Sequence, residues 1–219
     1  MTYFPLMLDL RDRPVLLIAG GPETGAKLTS LLEAQAKVTV LAEARDADRW
    51  NLAGLAEEGR IRWIPRGYRE GDLEGFYLVV SHPRDKAIHP QVKVEAERRR
   101  VFLVAVDDPE NATAILPAVV RRGELVLALS TSGAAPALAV RLKERLQKLL
   151  GPEYKELVAY LRTLRPTLAA IPDFEERRRL WYRIVDLALH QLDLDPIGGL
   201  RRAQAEAEEA LREVCVWTR

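Results

Sequence analysis

Cysteine and histidine are scarce in this chain of 219 residues, which has one cysteine, Cys215, and three histidines. A single thiol forms no intramolecular disulfide and no cysteine-based zinc site. His82, His89 and His190 do not have the spacing of metal ligands. His82 and His89 flank the exit of a predicted strand, where they could line a crevice, but we expect them in exposed loops. The sequence therefore predicts neither a disulfide framework nor a fixed metal site.

An excess of charge of one sign is also absent, as is any long apolar run. The 33 lysines and arginines nearly balance the 32 aspartates and glutamates, which gives a formal net charge of +1. This balance argues against a globally basic nucleic-acid binder. No uninterrupted apolar stretch is long enough to span a bilayer, and the N-terminus lacks the pattern of a signal peptide. We therefore expect a cytoplasmic protein that binds neither nucleic acid nor a membrane.

The first half of the chain alternates short apolar runs with amphipathic stretches. Short apolar runs bounded by turns are typical of buried parallel strands, and leucines at helical spacing are typical of helices. The predicted strands are 14–19, 37–42, 61–64, 76–81 and 101–106, and the predicted helices are 24–35, 46–58 and 85–100. Strands that alternate with helices predict a Rossmann-like parallel sheet with right-handed crossovers and both faces covered.

The pattern changes after Pro109. Two further strands are predicted at 114–120 and 124–129, joined by Arg121, Arg122 and Gly123. Helices are predicted at 136–150, 153–165, 174–192 and 200–214. The predicted fold class is therefore α/β. It has an N-terminal Rossmann-like domain at 1–112, a small α+β region at 113–150 and a C-terminal helical domain at 151–219.

A glycine turn, AGGPETG at 19–25, joins the first predicted strand to the first helix. A dinucleotide site needs a tight turn at this point and a helix N-terminus whose amides face the pyrophosphate. The position is right, but the G-x-G-x-x-G pattern is broken and Pro22 has no amide proton. The nearest acidic residue after the second strand, where a ribose would be held, is Glu43. Nucleotide binding and a purely structural turn are about equal alternatives from spacing alone.

Two other features could carry chemistry. Asp107 and Asp108 follow the fifth predicted strand, at the edge where parallel sheets bind ligands, so a carboxylate there could accept a proton or contact a metal. The turn STSG at 130–133 precedes a helix and could hold an anion. Each feature also has a simpler interpretation, a turn aspartate before Pro109 in one case and ordinary helix capping in the other.

Several segments together resemble a known family. They are FPLMLDLRDRPVLLIAGG at 4–21, LLEAQAKVTVLA at 31–42, VDDPENATAILPAVVRRGELVLALSTSGAAPALAVRLKERLQKLL at 106–150 and FEERRRLWYRIVD at 174–186. They resemble the precorrin-2 dehydrogenase and sirohydrochlorin ferrochelatase module of siroheme synthase. The resemblance covers nearly the whole chain, and the stretch 104–150 is its most specific part.

The resemblance implies NAD-dependent oxidation of precorrin-2 to sirohydrochlorin in siroheme biosynthesis, with insertion of ferrous iron, as a substrate, in many members. It implies a homodimer, an NAD-binding domain at 1–112 and a dimerisation and substrate region at 113–150. The family's catalytic aspartate falls on Asp107, which would accept a proton in dehydrogenation and lie near the iron in chelation. Thr131 aligns with a serine that is phosphorylated in some relatives.

The resemblance also assigns binding residues. The NAD-contacting loop falls on Gly20, Gly21, Pro22, Glu23 and Thr24, and the contact after the second strand falls on Glu43 and Ala44. The substrate's carboxylates would be held by Ser130, Thr131, Ser132, Arg121, Arg122 and Arg141, because hydroxyls, helix N-termini and guanidinium groups bind carboxylates.

The chain departs from the family pattern at the cofactor loop. The family's G-G-G turn reads AGG at 19–21, its T-D-D after the fourth strand reads PRD at 83–85, and its next asparagine is His89. Three hypotheses follow. The chain is an NAD-dependent dehydrogenase with an altered loop, an NAD-independent sirohydrochlorin chelatase, or a non-catalytic tetrapyrrole-binding protein.

Overall fold

A computed structural model describes residues 3–217, with side chains through Arg212, so the Cys215 thiol lies outside the described side chains. The chain divides into two compact units, Met1–Leu116 and Pro117–Arg219. Within the described range, no helix combines the length and the apolar character needed to cross a bilayer.

The first unit contains a five-stranded parallel sheet. Its strands are β1 (Pro14–Ile18), β2 (Lys37–Leu41), β3 (Ile61–Ile64), β4 (Leu78–Ser81) and β5 (Phe102–Ala105). Their order is β3-β2-β1-β4-β5, and every neighbouring pair is parallel. The chain reverses its winding direction between β1 and β4, which is the point where open α/β sheets bind ligands. This topology is the predicted Rossmann-like sheet.

Helices cover both faces of this sheet. Side chains alternate between the two faces along each strand, so neighbouring residues of one strand enter different cores. The helices are α1 (Thr24–Glu33), α2 (Leu52–Glu57) and α3 (His89–Arg99). One core combines Val15 and Leu17 of β1 with Leu28 of α1. The other combines Leu16 of β1 with Val92 of α3. These two cores fix the ends of the strands, where the candidate site lies.

The second predicted helix, at 46–58, is shorter in the structure. Short 3-10 turns occupy Ala44–Asp46 and Asp48–Trp50, and α2 begins only at Leu52. Asn51 has a left-handed backbone with φ of 50°, which ends any helical run that approaches it. The segment after β2 is therefore a loop of tight turns.

The second unit begins with an antiparallel hairpin. It is formed by β6 (Ala118–Arg122) and β7 (Leu125–Leu129), in which Arg122 pairs with Leu125. The predicted strand at 114–120 and its turn at 121–123 are therefore wrong by a few residues. Arg121 and Arg122 belong to β6, and the turn is made by Gly123, with φ of 61°, and Glu124. A glycine with positive φ at the first turn position is typical of two-residue hairpins.

Four helices follow the hairpin. They are α4 (Pro136–Leu149), α5 (Glu153–Ala169), α6 (Phe174–Leu194) and α7 (Gly199–Trp217). The predicted boundary at residue 112 lies close to the division of the chain. The predicted boundary at residue 150 has no counterpart in this division, since α5 packs against β7 and Arg162 of α5 pairs with Glu124 of the hairpin turn.

Candidate functional site

The candidate site lies at the carboxyl ends of β1, β4 and β5. The glycine turn follows β1, Ser81 ends β4 and His82 comes next, and Asp107 follows β5. Parallel strands bring these segments to one edge of the sheet, on either side of the reversal between β1 and β4.

The glycine turn is held tightly against the segment that follows β4. Gly20 has φ of 146°, and a Cβ built on it would lie 2.6 Å from the Arg84 amide nitrogen. Gly20 and Pro83 form an antiparallel bridge, and the Gly21 amide donates to the His82 carbonyl at 2.7 Å. Only glycine permits both the backbone conformation and the close approach at position 20.

His82 is packed into this turn. Its side chain is buried, with 2% of the residue exposed, and a Cβ on Gly21 would lie 2.2 Å from the His82 ring. Nε2 accepts the Glu23 amide at 3.2 Å, whereas Nδ1 is buried and has no hydrogen-bond partner among the described residues. Burial lowers the pKa of His82 below 6.5, although the carboxylates of Asp107 and Glu23 oppose this shift. The expectation that His82 lies in an exposed loop is wrong.

The donors available to a pyrophosphate come from the start of α1. The Gly20 amide donates to Thr24 Oγ1 at 3.2 Å, and the Glu23 amide is bound by His82. Within residues 3–217, the amides of Gly25 and Ala26 in the first helical turn have no acceptor. A tight glycine turn and unpaired helix amides fit a dinucleotide phosphate chemically.

The segment after β2 carries the second predicted cofactor contact. Glu43 and Ala44 are exposed, and the Glu43 carboxylate pairs with Arg45 at 2.7 Å. Asp46, in the same turn, is buried and accepts a hydrogen bond from Arg84 at 2.5 Å. Arg84 therefore connects the segment after β4 to the segment after β2.

Asp107 occupies an unusual position directly after β5. Its backbone is left-handed, with φ of 55°, and its side chain is 68% exposed. The Lys86 ammonium lies 3.6 Å from the carboxylate. Non-glycine residues with such backbones are concentrated at functional sites. The geometry presents a carboxylate to solvent at the ligand-binding edge of the sheet.

Asp108 stabilises the turn that holds Asp107. Its carboxylate accepts hydrogen bonds from His89 Nδ1 at 2.8 Å and from Asn111 Nδ2 at 2.9 Å. Burial raises the pKa of Asp108, but the hydrogen bonds from Asn111 and His89 outweigh burial and lower it overall. His89 is fully buried at the start of α3, so the expectation of an exposed loop is also wrong for this histidine.

The predicted hydroxyl cluster lies in the second unit, in the loop between β7 and α4. Thr131 Oγ1 accepts the Ala135 amide at 3.1 Å, and Ser130 Oγ accepts the Ser132 amide at 3.0 Å. Ser130 and Ser132 are exposed, and Ser132 has φ of 52°. The hydroxyls therefore shape the loop that precedes α4 and cap amides near its start.

The three predicted arginines of this unit differ in their surroundings. Arg121 is exposed on β6. Arg141 is exposed on α4 and pairs with Glu144 at 2.8 Å. The Arg122 guanidinium instead donates to the Leu150 and Gln147 carbonyls at 2.7 and 2.8 Å. It caps the C-terminal end of α4, which argues against a role in binding carboxylates.

Among the described residues, no three histidine, cysteine, aspartate or glutamate side chains come together as ligands for a metal ion. Ferrous iron that is inserted into a tetrapyrrole is in any case a substrate of that reaction and not a resident cofactor.

Comparisons with known proteins identify relatives of this chain. The family model described as "Putative NAD(P)-binding" matches residues 6–118. The chain belongs to this family. It is similar to siroheme synthase 1 of Aeromonas hydrophila, with 33% identity over 214 residues, covering 98% of this chain and 44% of that protein. The siroheme synthase of Methylococcus capsulatus is 33% identical over 213 residues, covering 97% of this chain and 42% of that protein. The chain thus spans less than half the length of these relatives.

A solved structure has the same fold. "SirC, precorrin-2 dehydrogenase" matches with a TM-score of 0.70 at 23% identity, covering 94% of this chain and 100% of that chain. The match confirms the predicted order of a Rossmann-like sheet followed by a helical unit. The predicted resemblance to siroheme synthases is confirmed along almost the whole chain, and family membership supports a nicotinamide cofactor.

The structure brings the glycine turn, His82 and Asp107 to one edge of the first unit, as their positions after parallel strands predict. Lys86, Arg84 and the pair of His89 with Asp108 were missed from sequence. Arg84, Lys86 and His89 lie after β4, in the segment where the chain departs from its family, whereas Asp108 follows β5 and was a candidate from sequence without its partner.

Proposed function

We propose that this chain oxidises precorrin-2 to sirohydrochlorin with NAD⁺ as the hydride acceptor. The observation that carries the proposal is the Asp107 carboxylate, which is exposed on a left-handed backbone beside the glycine turn of an NAD(P)-binding fold. Similarity to siroheme synthases over nearly the whole chain supports the choice of substrate.

The oxidation removes one hydride and one proton from precorrin-2. The nicotinamide, when bound, supplies the hydride acceptor. Asp107 accepts the proton, because its carboxylate is exposed to solvent and its ion pair with the Lys86 ammonium is loose, at 3.6 Å. Lys86 balances the negative charge of Asp107 before the proton arrives. The network of Asp108, His89 and Asn111 keeps the backbone after β5 in position.

We propose that the cofactor is NAD⁺ rather than NADP⁺, because of the charged residues that follow β2. A carboxylate at the end of the second strand accepts hydrogen bonds from the hydroxyls of an adenosine ribose and repels a 2′-phosphate. Glu43 offers an exposed carboxylate there, whereas Asp46 in the same turn is buried and bound to Arg84. Calorimetry with both cofactors tests this choice. Tighter binding of NADP⁺ by the unmodified protein would contradict it.

Precorrin-2 carries several carboxylates, and the second unit offers groups that bind them. We assign this role to the exposed guanidinium groups of Arg121 and Arg141 and to the hydroxyls of Ser130, Thr131 and Ser132. Arg122 is left out of the assignment because its guanidinium caps α4.

Incubation with precorrin-2 and NAD⁺ tests the proposed oxidation, with NADH and sirohydrochlorin measured by absorbance. Loss of a general base lowers rates by roughly 100-fold or more, so Asp107→Asn should reduce turnover by that factor. Asp48→Asn, which removes another exposed carboxylate from the same unit, should leave turnover unchanged. If the unmodified protein forms no NADH, the chain is not an NAD-dependent dehydrogenase.

A second candidate function is the insertion of ferrous iron into sirohydrochlorin. It is favoured by the same exposed carboxylate, because Fe²⁺ displaces two pyrrole N–H protons that a base must accept. Metallation can be followed by the change in the tetrapyrrole spectrum without NAD⁺. Equal metallation rates for the unmodified protein and Asp107→Asn would remove Asp107 from this reaction.

We also propose that the chain forms a homodimer through the second unit. Helix α4 buries only Ala139 within the chain, while Leu138 and Val140 beside it are half exposed. A helix of this length usually buries an apolar stripe, and a second copy of the chain would cover these residues.

A further inference from the structure

We propose that His82 is a latch on the cofactor loop. Its imidazole accepts the hydrogen bond of the Glu23 amide, which could otherwise be donated to a pyrophosphate oxygen. A dinucleotide therefore binds by displacing the ring nitrogen from this amide. This proposal rests on the proposed use of a nicotinamide cofactor. It adds a residue that controls access to the loop.

The position of the Glu23 amide is the first step of the argument. Glu23 directly precedes α1, so its amide belongs to the helix N-terminus that faces the phosphates in dinucleotide-binding folds. Pro22 has no amide proton. The Gly20 amide donates to the Thr24 hydroxyl, and the Gly21 amide donates to the His82 carbonyl. The Glu23 amide would therefore extend the row of donors that the unpaired Gly25 and Ala26 amides offer. His82 Nε2 accepts it at 3.2 Å.

The fixed position of the ring is the second step. His82 lies at the end of β4 and is 2% exposed, and its own carbonyl accepts the Gly21 amide at 2.7 Å. The imidazole fills the space that the missing side chain of Gly21 leaves. One residue therefore holds the turn at two points, once through its backbone and once through its ring.

The protonation state of the ring is the third step. Nε2 accepts a hydrogen bond only in the neutral ring, and the proton then lies on Nδ1, which is buried without a partner among the described residues. The charged groups that act on the ring are Glu23 and Lys27 of the α1 segment, Lys86 after β4 and Asp107 after β5. Burial is the largest influence and lowers the pKa of His82; the two carboxylates oppose this shift, and the two ammonium groups add to it.

A direction for pH dependence follows from this geometry. At neutral pH the ring is neutral and the latch is closed. When the pH falls through the lowered pKa of His82, Nε2 gains a proton and becomes a donor, which frees the Glu23 amide and favours an anion. We therefore expect the affinity for NAD⁺ to increase as the pH falls.

Calorimetric titration with NAD⁺ over a range of pH tests the latch with two variants. His82→Leu removes the acceptor, and because one neutral hydrogen bond is released, it should bind NAD⁺ roughly two- to tenfold more tightly at mildly alkaline pH. His82→Gln keeps an oxygen that accepts the same amide but does not titrate. It should match the unmodified protein at alkaline pH and lack the increase at low pH. His190→Gln, which alters an exposed histidine of the other unit, should reproduce the unmodified protein throughout.

The outcomes separate the latch from the proposed function. Equal affinities for the unmodified protein and both His82 variants at every pH would overturn the latch and leave the dehydrogenase proposal standing. Absence of NAD⁺ binding by all of these proteins would overturn both. Tighter binding by His82→Leu without NADH formation from precorrin-2 would support the latch and overturn the dehydrogenase.

A measurement without NAD⁺ covers the case in which His82→Leu does not fold. Nitrogen NMR of the unmodified protein reports which ring nitrogen carries the proton. The latch requires the proton on Nδ1 of His82. A proton on Nε2 at mildly alkaline pH would overturn it.

Discussion

At the residue scale, the candidate site depends on backbone conformations that few side chains permit. Gly20 has φ of 146°, and the chain after β4 approaches it so closely that no Cβ fits. Asp107 has φ of 55°, which aspartate tolerates better than most residues because its short side chain bonds locally. Strained or glycine-only positions at the same edge of the sheet are consistent with a binding site.

Replacement of Gly20 tests this view of the turn. Gly20→Ala places a Cβ against the Arg84 backbone and forces φ into a region that L-residues rarely adopt. We expect a loss of about 1–3 kcal/mol in the free energy of unfolding, measured by urea denaturation. Gly67→Ala is the matched control, because Gly67 has open space around its Cβ position and no positive φ. If both variants unfold at the same urea concentration, Gly20 does not need its special conformation.

The sequence predicts part of this arrangement. Asp107 could be located because it directly follows an apolar run, and parallel strands end at the ligand-binding edge. The burial of His82 could not be predicted, because the space for its ring exists only where Gly21, distant in sequence, lacks a side chain. The burial of His89 likewise depends on Asp108, which folding brings to it.

At the scale of elements, a buried carboxylate of α3 fixes the long connection between β3 and β4. Glu95 is 2% exposed and accepts hydrogen bonds from Tyr68 Oη at 2.6 Å, Gly71 N at 3.0 Å, Leu73 N at 3.3 Å and Arg99 Nε at 2.7 Å. Burial raises the pKa of Glu95, but these donors outweigh burial and lower it below its ordinary value of 4.5. The ionised form of Glu95 therefore stabilises the fold.

Glu95→Gln should cost about 1–3 kcal/mol of unfolding free energy at neutral pH, because it leaves buried donors poorly paired. The pKa of Glu95 is lower in the folded chain than in the unfolded chain, so its stabilisation is complete above about 4.5 and is lost as the pH falls through the folded value. Urea unfolding over this range measures the effect. The difference between the unmodified protein and Glu95→Gln should shrink in acid.

Glu97→Gln is the control for this effect, because Glu97 lies on the exposed face of the same helix. It should change the unfolding free energy by no more than about 0.5 kcal/mol at any pH. A difference between the unmodified protein and Glu95→Gln that stays constant with pH would contradict an ionised role for Glu95.

The elements themselves were predicted unevenly. The strands of the sheet follow from apolar runs, because both faces of a parallel sheet are buried. The hairpin was misplaced because its strands are only half buried and Arg121 and Arg122 resemble turn residues, whereas Gly123 alone supplies the positive φ. The shortening of α2 depends on the left-handed backbone of Asn51, which no periodic pattern reveals.

At the scale of the whole molecule, the two units bury apolar surface to different degrees. The sheet of the first unit is covered by its own helices. In the second unit, α5, α6 and α7 share buried leucines and alanines, but α4 buries only Ala139. An amphipathic helix with little burial inside its own chain is typical of a surface that packs against a partner.

The proposed homodimer makes a direct prediction about α4. Leu138 and Val140 are 52% and 51% exposed, so replacing both with glutamate should not disturb the fold of a single chain. If a second copy covers α4, the buried charges should oppose association strongly, and sedimentation velocity should change from dimer to monomer. Val94→Glu is the matched control, since Val94 is 65% exposed on α3 of the other unit and should leave sedimentation unchanged. A dimer that survives the double replacement would place the interface elsewhere, and an unmodified protein that sediments as a monomer would exclude it.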